Sequence, residues 1–475
     1  MKELAQLLFP SVTQTVEDLL KQYPPRGVAA LRLAPSPTGH LHIGGVGQAL
    51  ACVRLAKYLG GVSYLRIEDT DQKREVAGAT EKLVHDLESF GIVFDEYDTP
   101  NGSRGNYGPY TQSKRTHLYH TYAKRLVELG RAYPCFCTTE EISAIRESQT
   151  GDKTGYYGKW ARCANLNIEQ IRSNLDSGMA WCLRFNSAPD AGQKIGWNDV
   201  IRGDMLLPAE ENHFIILKAN GIPPYNFAHV VDDTLMRTSH VLRGEEWLIS
   251  TAEHIQIARV FGKVPYQYGH MPVICVMDGD SKRKLSKRKD KEALAETFIN
   301  LGYPVEAVTQ YLSILYNTDE GFAKITTNNP LFDWDKLNSI SREIIAQMTC
   351  EQIKTIVQND AVATLLNIGR DTGRPRKDID KWSDIPVVYD FIFGKPKVTE
   401  LTDQEREIYS AFKTIYDPND DKETWLNKMK QMAGELGHKI QTVTKAISKS
   451  VIGREQSPDL YTVLKLVEEL HGLPK

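Results

Sequence analysis

The chain has 475 residues, 41% of them hydrophobic and 25% charged, which is the make-up of a globular protein too long for one core; about two to four domains are expected. A formal net charge of -3 excludes a chain-wide basic field, so any nucleic-acid surface must be local. No run approaches the eighteen or so apolar residues of a membrane span, and Met1 to Pro10 holds an early carboxylate and too short an apolar stretch for a secretion signal. Seven cysteines spread over such a length suit a reducing compartment better than a disulfide framework, and a cytoplasmic setting is expected.

Residues 1–28 read as a helical lead-in with Val16, Leu19 and Leu20 on one face, stopped by Tyr23-Pro24-Pro25. Val28 to Ala34 then reads as a buried strand ended by Pro35 and Pro37, and Gly44-Gly45 marks a turn into a helix carrying Ala49, Leu50, Val53 and Leu55. A second strand is expected at Val62 to Ile67, followed by a helix with Leu83, Val84, Leu87 and Phe90, capped by Thr80 and ended by Gly91. This alternation argues a parallel α/β sheet, whose ligands sit at the carboxyl ends of the strands.

From 116 the pattern changes, with a helix at Leu118, Tyr122 and Leu126, then a mixed stretch to 212 that looks inserted; apolar runs resume at His213 to Leu217. The basic cluster Ser281 to Lys289 reads as a polar loop. Beyond about 340 the chain is mostly helical. Its last helix is expected to have Ser457 as N-cap and Pro458 at N1, with Leu460, Val463, Leu464, Val467 and Leu470 on one face.

Two segments carry chemistry. His42-x-Gly44 at a strand-to-helix turn suits a phosphate neighbour, because free amides and the helix dipole favour negative charge there. Alone, it is equally a tight turn with surface histidines. About 240 residues later stands Lys284-Leu285-Ser286-Lys287-Arg288, alone a solvated basic loop or a nucleic-acid patch.

Together, Ala34-Pro35-Ser36-Pro37-Thr38-Gly39-His40-Leu41-His42-Ile43-Gly44-Gly45 and the Lys-Leu-Ser-Lys-Arg segment resemble the paired signatures of class I aminoacyl-tRNA synthetases. The Pro35-Ser36-Pro37-Thr38 form is similar to glutamyl-tRNA synthetases, where glutaminyl enzymes typically carry Pro-Glu-Pro-Asn. Leu65 to Asp71, Tyr225 to Asp233 and Val241 to Leu248 match the same family, as do Gly108 to Arg115 and Gly453 to Tyr461. Val46-Gly47-Gln48 departs from the more usual Ala-Arg-Thr.

The resemblance implies an ATP-dependent ligase that forms glutamyl-adenylate with Mg²⁺ and transfers glutamate to the terminal adenosine of tRNA(Glu), and of tRNA(Gln) as well if the enzyme is non-discriminating. A monomer is expected. It implies His42, Lys284 and Lys287 as catalytic residues; His40, His42, Gly44, Gly45, Trp247, Lys284, Ser286 and Lys287 at ATP; and Arg32, Ala34, Ser36, Glu68, Tyr225, His229 and Arg243 at glutamate. The last set makes physical sense, since glutamate needs cations for two carboxylates and an anion for its ammonium.

In some relatives the inserted domain binds zinc. Here Cys135, Cys137 and Cys163 supply three thiolates, Asn165 replaces the usual histidine, and Tyr156 or Tyr157 is left as a substitute, with Tyr157 taken as the fourth ligand of a structural zinc; the alternative reading is free thiols in a small packed knot.

The implied fold is a Rossmann-like parallel-sheet catalytic domain with an inserted acceptor-binding domain and a C-terminal all-helical anticodon-binding domain. The expected divisions are 1–28 (extension), 29–115 and 213–265 (catalytic halves), 116–212 (insertion), 266–340 (stem-contact region with the lysine loop) and 341–475 (anticodon domain).

Three other readings carry their own signals. A short paralogue that glutamylates an anticodon base would lack the C-terminal region. A non-catalytic relative would lose His42, Lys284 or Lys287. A generic nucleotidylyltransferase would lack the glutamate pocket.

Overall fold

The computed structural model describes residues 1–37, 39–71, 76, 78–150, 154–262, 266–319, 321–395 and 400–474, so Thr38 of the first signature lies outside the described residues. Two compact units are present, Met1–Thr297 with Leu312–Phe332, and Phe298–Tyr311 with Asp333–Lys475.

The first unit is built on a six-stranded sheet: β1 (Ala30–Leu33), β2 (Val62–Leu65), β3 (Lys194–Asp199), β4 (Gly203–Pro208), β5 (His240–Gly244) and β6 (Gln267–Met271). Their order is β2-β1-β5-β6-β3-β4, with parallel pairing from β2 through β3 and an antiparallel β3-β4 hairpin at the edge. All four β1 residues are buried, as expected of a central parallel strand covered on both faces. Edge strand β4 instead alternates half-buried and exposed residues.

The stretch expected as one insertion divides differently. Strands β3 and β4 lie within it yet extend the large sheet, whereas Ile215–Leu217 closes a separate three-stranded antiparallel sheet with Ala132–Cys135 and Cys182–Phe185. A short apolar run shows that a strand exists, but not which partner it pairs with.

The lead-in is two helices, Lys2–Leu8 and Val16–Gln22, the second opened by a Thr15/Asp18 capping box. Leu4, Leu8, Val16 and Leu19 are buried in one cluster with Tyr119, Tyr122 and Phe227, while Leu20 is only partly covered. Each such aliphatic side chain contributes about 1.5–3 kcal/mol by leaving water, so the extension is part of this core. The helix expected to start at Thr80 runs Ala79–Ser89 behind Gly78, whose φ of 76° reverses the chain; Thr80 is inside the first turn.

The second unit is helical, with Trp334–Gln347, Cys350–Val357, Asp360–Asn367, Asp403–Ile415, Lys422–Glu435, Ile440–Ile452 and Leu460–His471 among its elements. Its core gathers Ile353, Phe412, Met429, Val443, Ile447 and Val463. The last helix begins two residues later than expected, because the Asp459 carboxylate accepts the Thr462 amide and supplies the cap in place of Ser457. Leu470, expected on the apolar face, is 45% exposed. No helix among the described residues is long and apolar enough to cross a membrane.

Candidate active site

The carboxyl ends of β1, β2 and β5 open into a cavity of about 500 Å³. Arg32, Ala34, Ser36, Glu68, Tyr225 and Arg243, all expected at the amino acid, line it, and so does Trp247, expected at ATP. The Trp247 and Tyr225 rings pack with centroids 4.2 Å apart. His229 is placed elsewhere: it is fully buried behind Tyr225, stacked on that ring at 5.5 Å, with Nδ1 2.5 Å from Asp233. It lies on the same face of the helix Tyr225–Leu235 as Tyr225 but one turn further along the axis, beneath that ring, where burial pushes its imidazole down to about 3.

The two arginines of the cavity differ. Arg32 donates Nε and Nη2 to Asp233 at 3.2 Å each and Nη1 to the Leu242 carbonyl. Arg66, behind it, bridges Asp233 at 2.7 Å and Glu68 at 2.9 Å. Burial pushes the Asp233 carboxyl up, but Arg32 and Arg66 outweigh it and hold the group well below the usual carboxylate range. Glu68 moves the other way, raised by burial against the pull of Arg66.

Arg243, 3% exposed, donates to His270 Nε2, Tyr225 Oη, His254 Nδ1, the Trp247 carbonyl and Thr251 Oγ1 at 2.7–3.3 Å. All five acceptors are neutral.

A second hollow of about 340 Å³ adjoins the first and shares Gln48, Gly244 and Glu246 with it. His42, Gly44, Gly45 and Lys284 wall it, so the two signatures face one space. His42 caps the helix Ile43–Tyr58: its Nδ1 accepts the Gly44 amide at 2.9 Å, which leaves the Nε2 proton to donate to the Leu285 carbonyl at 3.3 Å. Burial pushes the His42 imidazole down, toward the neutral form this bonding requires.

Lys287 donates to the His40 carbonyl, and Lys284 lies 3.4 Å from Glu246. His40, Ser286 and Lys287 are outside the hollow's lining, and the His40 ring turns to Glu296 at 3.0 Å.

The basic cluster expected as a loop is half strand, Ser281–Lys284 pairing with Cys275–Asp278. Asp290 cinches the turn that follows by accepting from Arg283 at 2.6 and 2.7 Å and from the Ser286 amide at 2.8 Å. Bonding to Arg283 holds its carboxyl at about 2. Gly47 fits against Tyr316, a wall of the same hollow; a Cβ at 47 would overlap that ring.

Sequence reasoning missed Asp199, Thr251, His254, His270 and Asp290. They lie in the second layer, and no motif spacing marks them; only the hint that a buried arginine needs acceptors pointed to such groups.

Away from the cleft, the sulfurs of Cys135, Cys137 and Cys163 lie within 4.8 Å of one another. The tyrosine that meets them is Tyr156, in place of the favoured Tyr157: its hydroxyl is 3.3 Å from the Cys137 sulfur and 3.6 Å from that of Cys135. Cys182 stands opposite Cys135 in the neighbouring strand. Three convergent soft donors with a phenol beside them fit a tetrahedral zinc-type ion.

The chain matches the family model described as tRNA synthetases class I (E and Q), catalytic domain, over residues 29–355. It is 38% identical to the glutamate–tRNA ligase of Acetivibrio thermocellus, over 98% of this chain and 97% of that one. It is 36% identical to that of Clostridium perfringens strain 13, over 98% of each. Among solved structures, a glutamate tRNA ligase from Elizabethkingia meningosepticum in complex with its amino acid superposes with a TM-score of 0.80 at 25% identity, over 92% of this chain and 96% of that one. With both signatures facing one hollow beside a cavity of two arginines and a glutamate, the chain belongs to the class I aminoacyl-tRNA synthetases, among their glutamate–tRNA ligases.

Proposed function

We propose that the larger cavity holds L-glutamate and the adjoining hollow ATP, so that a glutamate carboxylate attacks the α-phosphorus and diphosphate leaves. The single observation that carries this reading is the buried Arg243 charge, which meets no carboxylate among the described residues, in a cavity that also offers the carboxylate of Glu68.

A glutamate carboxylate then balances Arg243, Arg32 adds positive potential, and Glu68 receives the ammonium with Ser36 and the backbone at Ala34 beside it. Tyr225 accepts from Arg243, so its own proton is available to the substrate. No general base is required, since the attacking carboxylate is already ionised at neutral pH.

At the nucleotide, His42, Gly44 and Gly45 present the helix N-terminus to phosphate, and Lys284, Ser286 and Lys287 follow the charge as it spreads toward the leaving group. Mg²⁺, bound with the ATP phosphates, would neutralise part of that charge beside these lysines. His40 and Trp247 flank the nucleotide from outside the hollow.

The adenylate is then consumed by the terminal adenosine of tRNA(Glu). The region of the small sheet, Ala132–Cys135, Cys182–Phe185 and Ile215–Leu217, is assigned to the acceptor end and 341–475 to the anticodon, with phosphate contacts that make binding salt-sensitive. The enzyme acts as a monomer in the cytoplasm, where translation uses its product.

Labelled glutamate charged onto purified tRNA(Glu), with Lys287→Ala as control, tests the reading. Absence of charging by the unsubstituted enzyme would overturn it. The same assay on purified tRNA(Gln) separates a discriminating enzyme from one that charges both.

Cys135, Cys137, Cys163 and Tyr156 are proposed to hold a structural zinc ion that staples the small sheet. One zinc per chain by mass spectrometry, lost in Cys163→Ser, is the expected result; a metal-free, equally stable protein would refute it.

A further inference from the structure

All five N–H groups of Arg243 are taken, and two of their acceptors are imidazole nitrogens: His270 Nε2 at 3.0 Å and His254 Nδ1 at 3.1 Å. An imidazole can accept only through its unprotonated nitrogen, so the two rings must be opposite tautomers, each with its proton on the far side. The structure shows what keeps it there.

The far nitrogen of His270, Nδ1, lies 2.5 Å from the Asp199 carboxylate, which can only accept. The far nitrogen of His254, Nε2, lies 3.0 Å from the Asn226 carbonyl oxygen, and the Asn226 amide is turned that way by donating to Glu253. We infer that Asp199 and the Asn226–Glu253 pair are positioning residues which lock His270 and His254 in opposite tautomers, so that Arg243 is held immobile with its charge left for a substrate carboxylate. A charged acceptor in either place would satisfy the hydrogens equally well but would cancel the positive potential that an anionic substrate meets. Burial, which pushes both imidazoles down toward the neutral form, serves the same end.

The inference rests on the glutamate reading of the cavity, and an isosteric change tests it. The other Asp199 oxygen accepts the amides of Ile201, Arg202 and His270 at 3.0–3.2 Å. In Asp199→Asn, therefore, the carbonyl must stay with those amides and the NH₂ must face His270, driving the ring proton onto Nε2 and against the Nε–H of Arg243. His270→Gln is the larger change in shape, yet it can keep the pattern, with Oε1 toward Arg243 and its NH₂ toward Asp199.

In charging of tRNA(Glu), Asp199→Asn is expected to raise the glutamate KM about tenfold, with kcat and the ATP KM within about twofold. His270→Gln should shift the glutamate KM less than Asp199→Asn does. A merely structural role predicts the reverse order and a parallel rise in the ATP KM, and either result overturns the inference, as does an unchanged glutamate KM in Asp199→Asn. Failure of the unsubstituted enzyme to charge at all would instead remove the glutamate reading, and this inference with it.

Discussion

Arg32 and Arg243 line one cavity, yet they are built into the protein in opposite ways. The Arg32 wall is ion-paired inside the protein, with Arg32 and Arg66 sharing Asp233 and Arg66 also reaching Glu68. Among the described residues, Arg243 is bonded only to neutral atoms. A buried pair whose charges balance holds the sheet ends together, and breaking it strands a charge. A buried cation without an internal counter-ion costs stability and is compensated only when a ligand supplies the anion. The same residue type is thus balanced within the protein on one side of the cavity and, on the other, left with its charge for the proposed ligand.

If that division is right, substitutions on the two walls should be read by different instruments. Arg243→Gln removes the unbalanced cation and should lower kcat/KM for glutamate by about 4 kcal/mol, the attraction between two unit charges roughly 4 Å apart in a partly solvated site. Its thermal midpoint should stay level or rise. A lower midpoint with an unaffected glutamate KM would erase the distinction between the walls.

Asp233→Ala strands Arg32 and leaves Arg66 to its pairing with Glu68, and should cost about 3–5 kcal/mol of unfolding free energy in denaturant titration; an unshifted midpoint would show that Asp233 is not the keystone of its wall.

Lys287→Ala touches neither wall and should reduce kcat by about 3 kcal/mol through lost charge neutralisation, with the glutamate KM unchanged. A rise in that KM alone would move Lys287 from the reaction to binding.

The most gradual effect, smallest for each step in conditions, is with pH. His229, folded beneath the Arg32 wall at about 3 against an ordinary 6.5, binds a proton more readily when unfolded. Its contribution is therefore complete above pH 6.5 and lost as pH falls toward 3, by about 1.4 kcal/mol per pH unit. Denaturant titrations across that window should show the slope, and His229→Gln should flatten it.

Much of this division was hidden in the sequence. Arg32, Glu68, Tyr225 and Arg243 were legible because family strings carry them, and the structure brings all four into one cavity. Which arginine is internally paired was not legible, since Asp233 approaches from the helix Tyr225–Leu235 and Asp199 from β3, about 200 and 45 residues away in the chain. His229 illustrates the limit at short range: it sits in a matching string and on the same helix face as Tyr225, but one turn further along it is covered by that ring and kept from the cavity.

The sheet shows the same limit. The strands at Ala30–Leu33 and Val62–Leu65 were clear from their apolar runs, but membership of Lys194–Asp199 in the large sheet rests on a single registered pair, Tyr268 with Asp199, that no local pattern announces. The cysteine cluster was legible in its thiols. Its phenol was not, because Tyr156 and Tyr157 are adjacent and only the backbone path selects which one turns inward.

Gly47 shows how a departure from a familiar string acquires meaning. With no side chain at that position, the Tyr316 ring occupies the volume a Cβ would need and walls the smaller hollow. The two positions are therefore coupled: a larger residue at 47 can be accommodated only if 316 shrinks. Among kindred enzymes they should change hands together, so that an alignment column from the first signature foretells one some 270 residues downstream.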